Sequence, residues 1–172
     1  FGTAEFIDYC RELGAEPMLC VNMPSGTPEE AANWVEYCNG ATDSHCAQLR
    51  RSHGHDEPFR VKYWCIGNES HAVPDLGSQH HVEDYCAQAM EFIKYMKLTD
   101  PEIKIILVGY DDAWNRAVFE KLGPVCDYLS VHFYAHADGR SGQFTELAAF
   151  EKEPMRLKAQ LRELNAAPVE WN

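Results

Sequence analysis

The 172-residue sequence contains no run approaching the roughly eighteen apolar residues that a membrane-spanning helix needs. No basic-then-apolar leader opens it at Phe1, so the sequence reads as soluble as it stands, while its secretion is not legible. Basic residues are scarce: 15 Lys and Arg stand against 27 Asp and Glu, for a net charge of -12. Such a surface repels phosphate backbones and anionic lipids, which argues against nucleic acid and membranes as partners. There is no Cys-x-x-Cys pair, no short internal repeat and no low-complexity tract. The seven cysteines (Cys10, Cys20, Cys38, Cys46, Cys65, Cys86 and Cys126) are irregularly spaced and several sit in apolar runs, which reads as buried free thiols. Their odd number favours a reducing compartment, the cytoplasm.

What is present is an apolar content of 45% with 24% charge, enough for one domain or part of one. Helix and strand signals alternate. Residues 3–13 place Phe6, Ile7, Cys10 and Leu13 on one helical face and stop at Gly14, suited to a left-handed cap. A strand follows at 17–22. Thr27-Pro28-Glu29-Glu30 combines a capping hydroxyl, proline at the first helical position and glutamate three residues after the cap, predicting a helix to Cys38. Residues 41–58 read as a long surface loop with one turn of helix. Further strands are expected at 61–67, 103–109, 127–134 and 168–172, and helices at 82–97, 112–121 and, bent by Pro154, 144–165.

Five strands separated by helices indicate an α/β protein with a parallel sheet. Either an open doubly wound sheet or a closed barrel fits that order. Asn22, Asn68 with Glu69, Tyr110 with Asp111, His132 with Tyr134, and Glu170 all fall at carboxyl ends of successive strands. A barrel gathers such ends around one pocket, whereas an open sheet spreads them along an edge. The expected fold is therefore a (β/α)8 TIM barrel. Since a full barrel takes about 250 residues, residues 1–172 read as about five-eighths of one, a partial catalytic domain that is not an autonomous functional unit.

The chemistry is concentrated in Gly67-Asn68-Glu69 and in Glu170, two carboxylates ending strands about a hundred residues apart. Glycosidic cleavage needs such a pair, one carboxylic acid to protonate the leaving oxygen and one carboxylate to attack the sugar carbon. Gly14-Ala15-Glu16-Pro17, Cys20-Val21-Asn22, Gly26-Thr27-Pro28-Glu29-Glu30-Ala31-Ala32-Asn33-Trp34, Lys62-Tyr63-Trp64-Cys65-Ile66-Gly67-Asn68-Glu69, Ser130-Val131-His132-Phe133-Tyr134 and Glu170-Trp171-Asn172 together carry a resemblance over essentially the whole chain. The sequence resembles glycoside hydrolase family 51, the α-L-arabinofuranosidases.

The resemblance implies that Glu69 is the acid/base and Glu170 the nucleophile of a retaining, exo-acting enzyme, with this chain supplying barrel strands three to seven. It implies further that Asn68 bonds the sugar 2-hydroxyl, Tyr134 orients the nucleophile, Asn22 lines the sugar subsite, and His132 and Trp171 are pocket neighbours. An arabinose-containing oligo- or polysaccharide is the expected partner, with no metal or organic cofactor, and the full protein is expected to carry a β-sandwich domain and to form homo-oligomers. Val169 replaces the acidic residue that usually precedes the nucleophile, and Ser70-His71-Ala72-Val73-Pro74 replaces an aromatic-rich continuation that would shape the leaving-group side. An endo-acting glucanase or xylanase of the same clan and a non-catalytic sugar-binding barrel are the alternatives. His53 with His55, His80 with His81 and His132 with His136 do not have convincing metal-ligand spacing, and Cys65 reads as a wall residue.

Overall fold

The computed structural model describes residues 2–41, 43–71 and 81–132, together with helical residues 155–156, 158–160 and 162–163. The described elements are α1 (Thr3–Glu12), β1 (Met18–Val21), α2 (Pro28–Asn39), α3 (His45–Ser52), β2 (Tyr63–Ile66), α4 (Val82–Thr99), β3 (Lys104–Val108), α5 (Asp112–Leu122), a 3-10 turn (Gly123–Val125) and β4 (Tyr128–Ser130). The four strands form one sheet in the order β1-β2-β3-β4, every pair parallel. A doubly wound sheet reverses its strand order at a switch point; a strictly sequential order is what a barrel produces. The expected fifth strand at 168–172, and residues 133–134 of the fourth, lie outside the described residues.

Alternation along the strands sorts the two faces. Leu19, Val21, Trp64, Ile66, Ile105 and Leu107 join the core beneath the helices, whereas Met18 and Cys20 on the other face are exposed. Trp64 is fully buried and meets Trp34 of α2 edge to face, with centroids 5.5 Å apart. Helix α4 contributes Tyr85, Cys86, Ala89, Phe92, Ile93 and Met96, a 3-4 spacing that buries one stripe.

The local signals at helix ends act as expected. Thr27 accepts from the Glu30 amide while the Glu30 carboxylate accepts from the Thr27 amide, closing a capping box with Pro28 at the first turn. Gly14 follows α1 at φ 67°, although Leu13, expected on the buried face, is 63% exposed because α1 has already ended at Glu12. The larger correction concerns residues 41–58. They include the two-turn helix α3, started by Ser44 and fastened by a fully buried Arg50. Arg50 donates to the carbonyls of His55, Tyr37, Gly40 and Asp56, so one guanidinium satisfies four backbone acceptors in the segments on either side of α3. All seven cysteines are free thiols; five are buried, Cys126 is half-buried and Cys20 is exposed.

Candidate active site

The strand register brings the polar strand ends to one rim. Val21, Ile66 and Leu107 are paired across β1, β2 and β3, and Leu107 pairs Leu129 of β4. Asn22, Gly67-Asn68-Glu69, Tyr110-Asp111 and His132 therefore emerge side by side. Behind them the buried Tyr85 hydroxyl donates to the Ile66 carbonyl and accepts from the Val108 amide, both at 2.9 Å. That phenol bridges β2 and β3 at the point where each leaves the sheet. Trp114 makes a parallel contact, its indole donating to the Val108 carbonyl at 2.8 Å.

Two left-handed residues shape the end of β2. Gly67 sits at φ 83°, and a Cβ there would lie 2.8 Å from Ser70 Oγ and 3.0 Å from Met23 Sδ. Glu69 sits at φ 47°, where a side chain costs about 1–2 kcal/mol. Such strain persists only where the surroundings over-determine the conformation, and it clusters at functional sites. Here it goes with a carboxyl group that meets β4: Glu69 Oε1 lies 2.8 Å from His132 Nδ1. The pair fits either protonation state, because an ionised Glu69 accepts from Nδ1–H and a protonated Glu69 donates to a bare Nδ1. With side-chain exposures of 32% and 40%, both groups are held yet reachable.

His71, two residues on, stacks on Tyr110 with centroids 3.9 Å apart and planes 10° from parallel. Burial holds its imidazole below the ordinary histidine range; Glu69 and Asp111 pull it upward and His132 opposes them. Its Nδ1 is buried and has no hydrogen-bond partner among the described residues. Asn22 is present at the rim, its amide donating to Ser25 Oγ at 2.8 Å, and Asn68 is exposed beside Glu69. Glu170, Tyr134 and Trp171 lie outside the described residues, as do His80 and His136. Among the described residues no three His, Cys, Asp or Glu side chains gather as a metal site. Cys65 has its thiol pushed up to about 11 by burial and then by nearby Cys20, which suits a wall residue rather than a nucleophile.

Sequence reasoning missed Tyr85, Ser70 and the pairing of His71 with Tyr110. Tyr85 lies on the apolar stripe of α4 and carries no signal that its hydroxyl braces two strands. The stack joins residues thirty-nine apart on neighbouring loops, which no local pattern encodes.

A family model described as Alpha-L-arabinofuranosidase 1 domain matches residues 1–152. Alpha-L-arabinofuranosidase C of Emericella nidulans is 39% identical over 164 residues, covering 87% of this chain and 32% of that protein. The intracellular exo-alpha-(1->5)-L-arabinofuranosidase of Halalkalibacterium halodurans is 37% identical over 140 residues, 77% of this chain and 28% of that protein. The crystal structure of the Thermotoga maritima α-L-arabinofuranosidase in its arabinose complex superposes with a TM-score of 0.87 at 42% identity, over 97% of this chain and 35% of that one. The chain thus spans about a third of the length of the curated relatives it matches. Matched over most of its residues and built as sequential parallel strands with an Asn-Glu strand end, the chain belongs to the α-L-arabinofuranosidases of glycoside hydrolase family 51, and its sheet is an arc of their TIM barrel.

Proposed function

We propose that the protein carrying this chain is a retaining, exo-acting α-L-arabinofuranosidase that removes terminal arabinofuranosyl groups from arabinan- or arabinoxylan-type saccharides. The observation that carries the reading is Glu69, held in a left-handed conformation at a strand end with its carboxyl group on His132. In the first step Glu170 attacks the anomeric carbon and Glu69 gives its proton to the leaving oxygen. The covalent ester removes the negative charge of Glu170, so Glu69 becomes the stronger acid, stays ionised and takes a proton from the incoming water. His132 positions the Glu69 carboxyl group in both half-reactions, as donor to the carboxylate or acceptor from the acid. By the family resemblance, Asn68 bonds the sugar 2-hydroxyl, Asn22 lines the sugar subsite, Tyr134 orients the nucleophile Glu170, and Trp171 is a pocket neighbour. The chain supplies barrel strands three to seven.

The test uses the full-length enzyme and an aryl α-L-arabinofuranoside in aqueous methanol. Retention yields the methyl α-furanoside, identified by NMR; the β product would overturn the double displacement. Absence of hydrolysis on every furanoside tried would remove the enzymatic reading. Release of long fragments from debranched arabinan or xylan, instead of free arabinose, would favour the endo-acting alternative.

A further inference from the structure

The His71 and Tyr110 rings stack on each other at the carboxyl-end rim, next to the turn that carries Glu69. An acid at Glu69 delivers its proton to the leaving oxygen, so groups just beyond it on the rim face the departing saccharide rather than the arabinose being transferred. His71 follows Glu69 by two residues, and its ring lies flat on Tyr110, which is 51% exposed. Trp114 closes the stack from behind, edge-on to His71 at 6.0 Å. A cavity of about 470 Å³ opens there, lined by His71, Tyr110, Trp114, His81, Asp111 and Glu83.

The platform is rigid for a reason that the core supplies. Buried Asn115 accepts from the Tyr110 amide at 2.8 Å and donates to the Tyr110 carbonyl at 3.3 Å, clamping its backbone from both sides. Asp111 caps α5 by accepting from the Trp114 amide at 2.8 Å, so the residue after Tyr110 is fixed as well. His71 stacks on Tyr110 and meets Trp114 edge-on. Aromatic faces bind the apolar C–H face of a sugar, and Asp111 with Glu83 makes the rim acidic, which disfavours a carboxylate-bearing ring.

We propose that the stacked His71 and Tyr110 form the platform of a leaving-group subsite that takes a neutral sugar ring. The proposal rests on the arabinofuranosidase reading and deepens it: the aglycone is a neutral pentose or hexose unit of the chain being trimmed, not a uronic acid. Tyr110 is a specificity-determining residue, and His71 is its positioning partner.

The experiment compares two substrates of the full-length enzyme. Methyl α-L-arabinofuranoside has a leaving group with no ring, whereas α-1,5-linked arabinotriose places a pentose in the subsite. Tyr110→Ala should lower kcat/KM on arabinotriose about tenfold more than on the methyl furanoside, chiefly through KM, as the loss of one ring stack predicts. His71→Ala should move the same ratio in the same direction, and Tyr110→Phe, which keeps the ring, should restore it. Equal losses on both substrates, or no change in the ratio, would overturn the proposal. Should the wild-type enzyme cleave neither furanoside, the catalytic reading falls on its own, and calorimetric titration with arabinotriose judges the subsite. Binding weakened by Tyr110→Ala and kept by Tyr110→Phe supports it; equal binding by wild type and Tyr110→Ala overturns it.

Discussion

The two ends of the four-stranded sheet use their polar groups in opposite ways. At the amino ends Asn39, Lys97 and Asp127 are tied to backbone. Asn39 accepts from the Val61 amide and donates to the Val61 carbonyl and to Asp100. Lys97 donates to the carbonyls of Pro101 and Ile103, and Asp127 accepts from Lys104 and from the Ile105 amide. That end has a left-handed residue too, Arg60 at φ 56°, but its amide donates to the Cys38 carbonyl. At the carboxyl ends Glu69 and His132 contact each other while half-exposed, Asn68 is exposed, and His71 Nδ1 has no hydrogen-bond partner among the described residues. The lesson is a division of labour along one set of strands: polar groups at the base are spent on backbone, while at the rim the saturated Tyr85, Trp114 and Asn115 back an exposed Asn68 and a strained Glu69 that meets His132.

Breaking the comparison at the rim should cost activity, and breaking it at the base should cost stability. The largest effect expected is on turnover. Glu69→Gln in the full-length enzyme should reduce kcat about 10²- to 10⁴-fold on natural saccharides and far less on a dinitrophenyl furanoside, whose leaving group needs no proton. Steady-state kinetics on the two substrates checks this, and equal losses on both would contradict the acid role. At the base, Asn39→Ala should destabilise the fold by about 2–3 kcal/mol, because it strands the Val61 amide and carbonyl together; denaturant unfolding measures it.

Smaller effects sharpen the contrast. Replacing Glu69 by Asn, which tolerates the left-handed region, should abolish activity yet raise stability by up to about 1 kcal/mol, visible as a higher Tm. A lower Tm would mean that the Glu69 side chain stabilises more than its backbone conformation costs. Asp127 supplies a pH signature at the base. Partial burial pushes its carboxyl up, but the bonds from Lys104 and the Ile105 amide outweigh it and leave the pKa below the ordinary 3.8. A depressed carboxylate stabilises the fold above its unfolded-state value and loses that contribution as pH falls through its folded-state value. Asp127→Asn should therefore cost about 1 kcal/mol at neutral pH, and the gap between the two proteins should close below pH 3.8.

Much of the fold was legible because it rests on local chemistry. The Thr27-Pro28-Glu29-Glu30 start of α2, the apolar run that became β3 and the 3-4 stripe of α4 are each encoded within a few residues. The candidate acid was legible for a different reason: Gly67-Asn68-Glu69 ends a strand within a longer stretch that resembles a known family. Helix α3 was hidden because its stability comes from Arg50 reaching four carbonyls on either side of it, a contact pattern with no period. Leu13 was misplaced because the helical stripe was carried one residue past the end of α1 at Glu12.

The sequence by itself determined the alternation of strands and helices, the parallel sheet, the acidic surface and the residue types that can do glycosidic chemistry, since each follows from side-chain periodicity or charge over short spans. Only the tertiary structure decided the sequential strand order, the left-handed turn of Glu69 toward His132, the Tyr85 bridge and the stacking of His71 on Tyr110. These depend on how neighbouring strands register and how loops from different crossovers meet, and such non-local geometry is set by packing the whole arc at once.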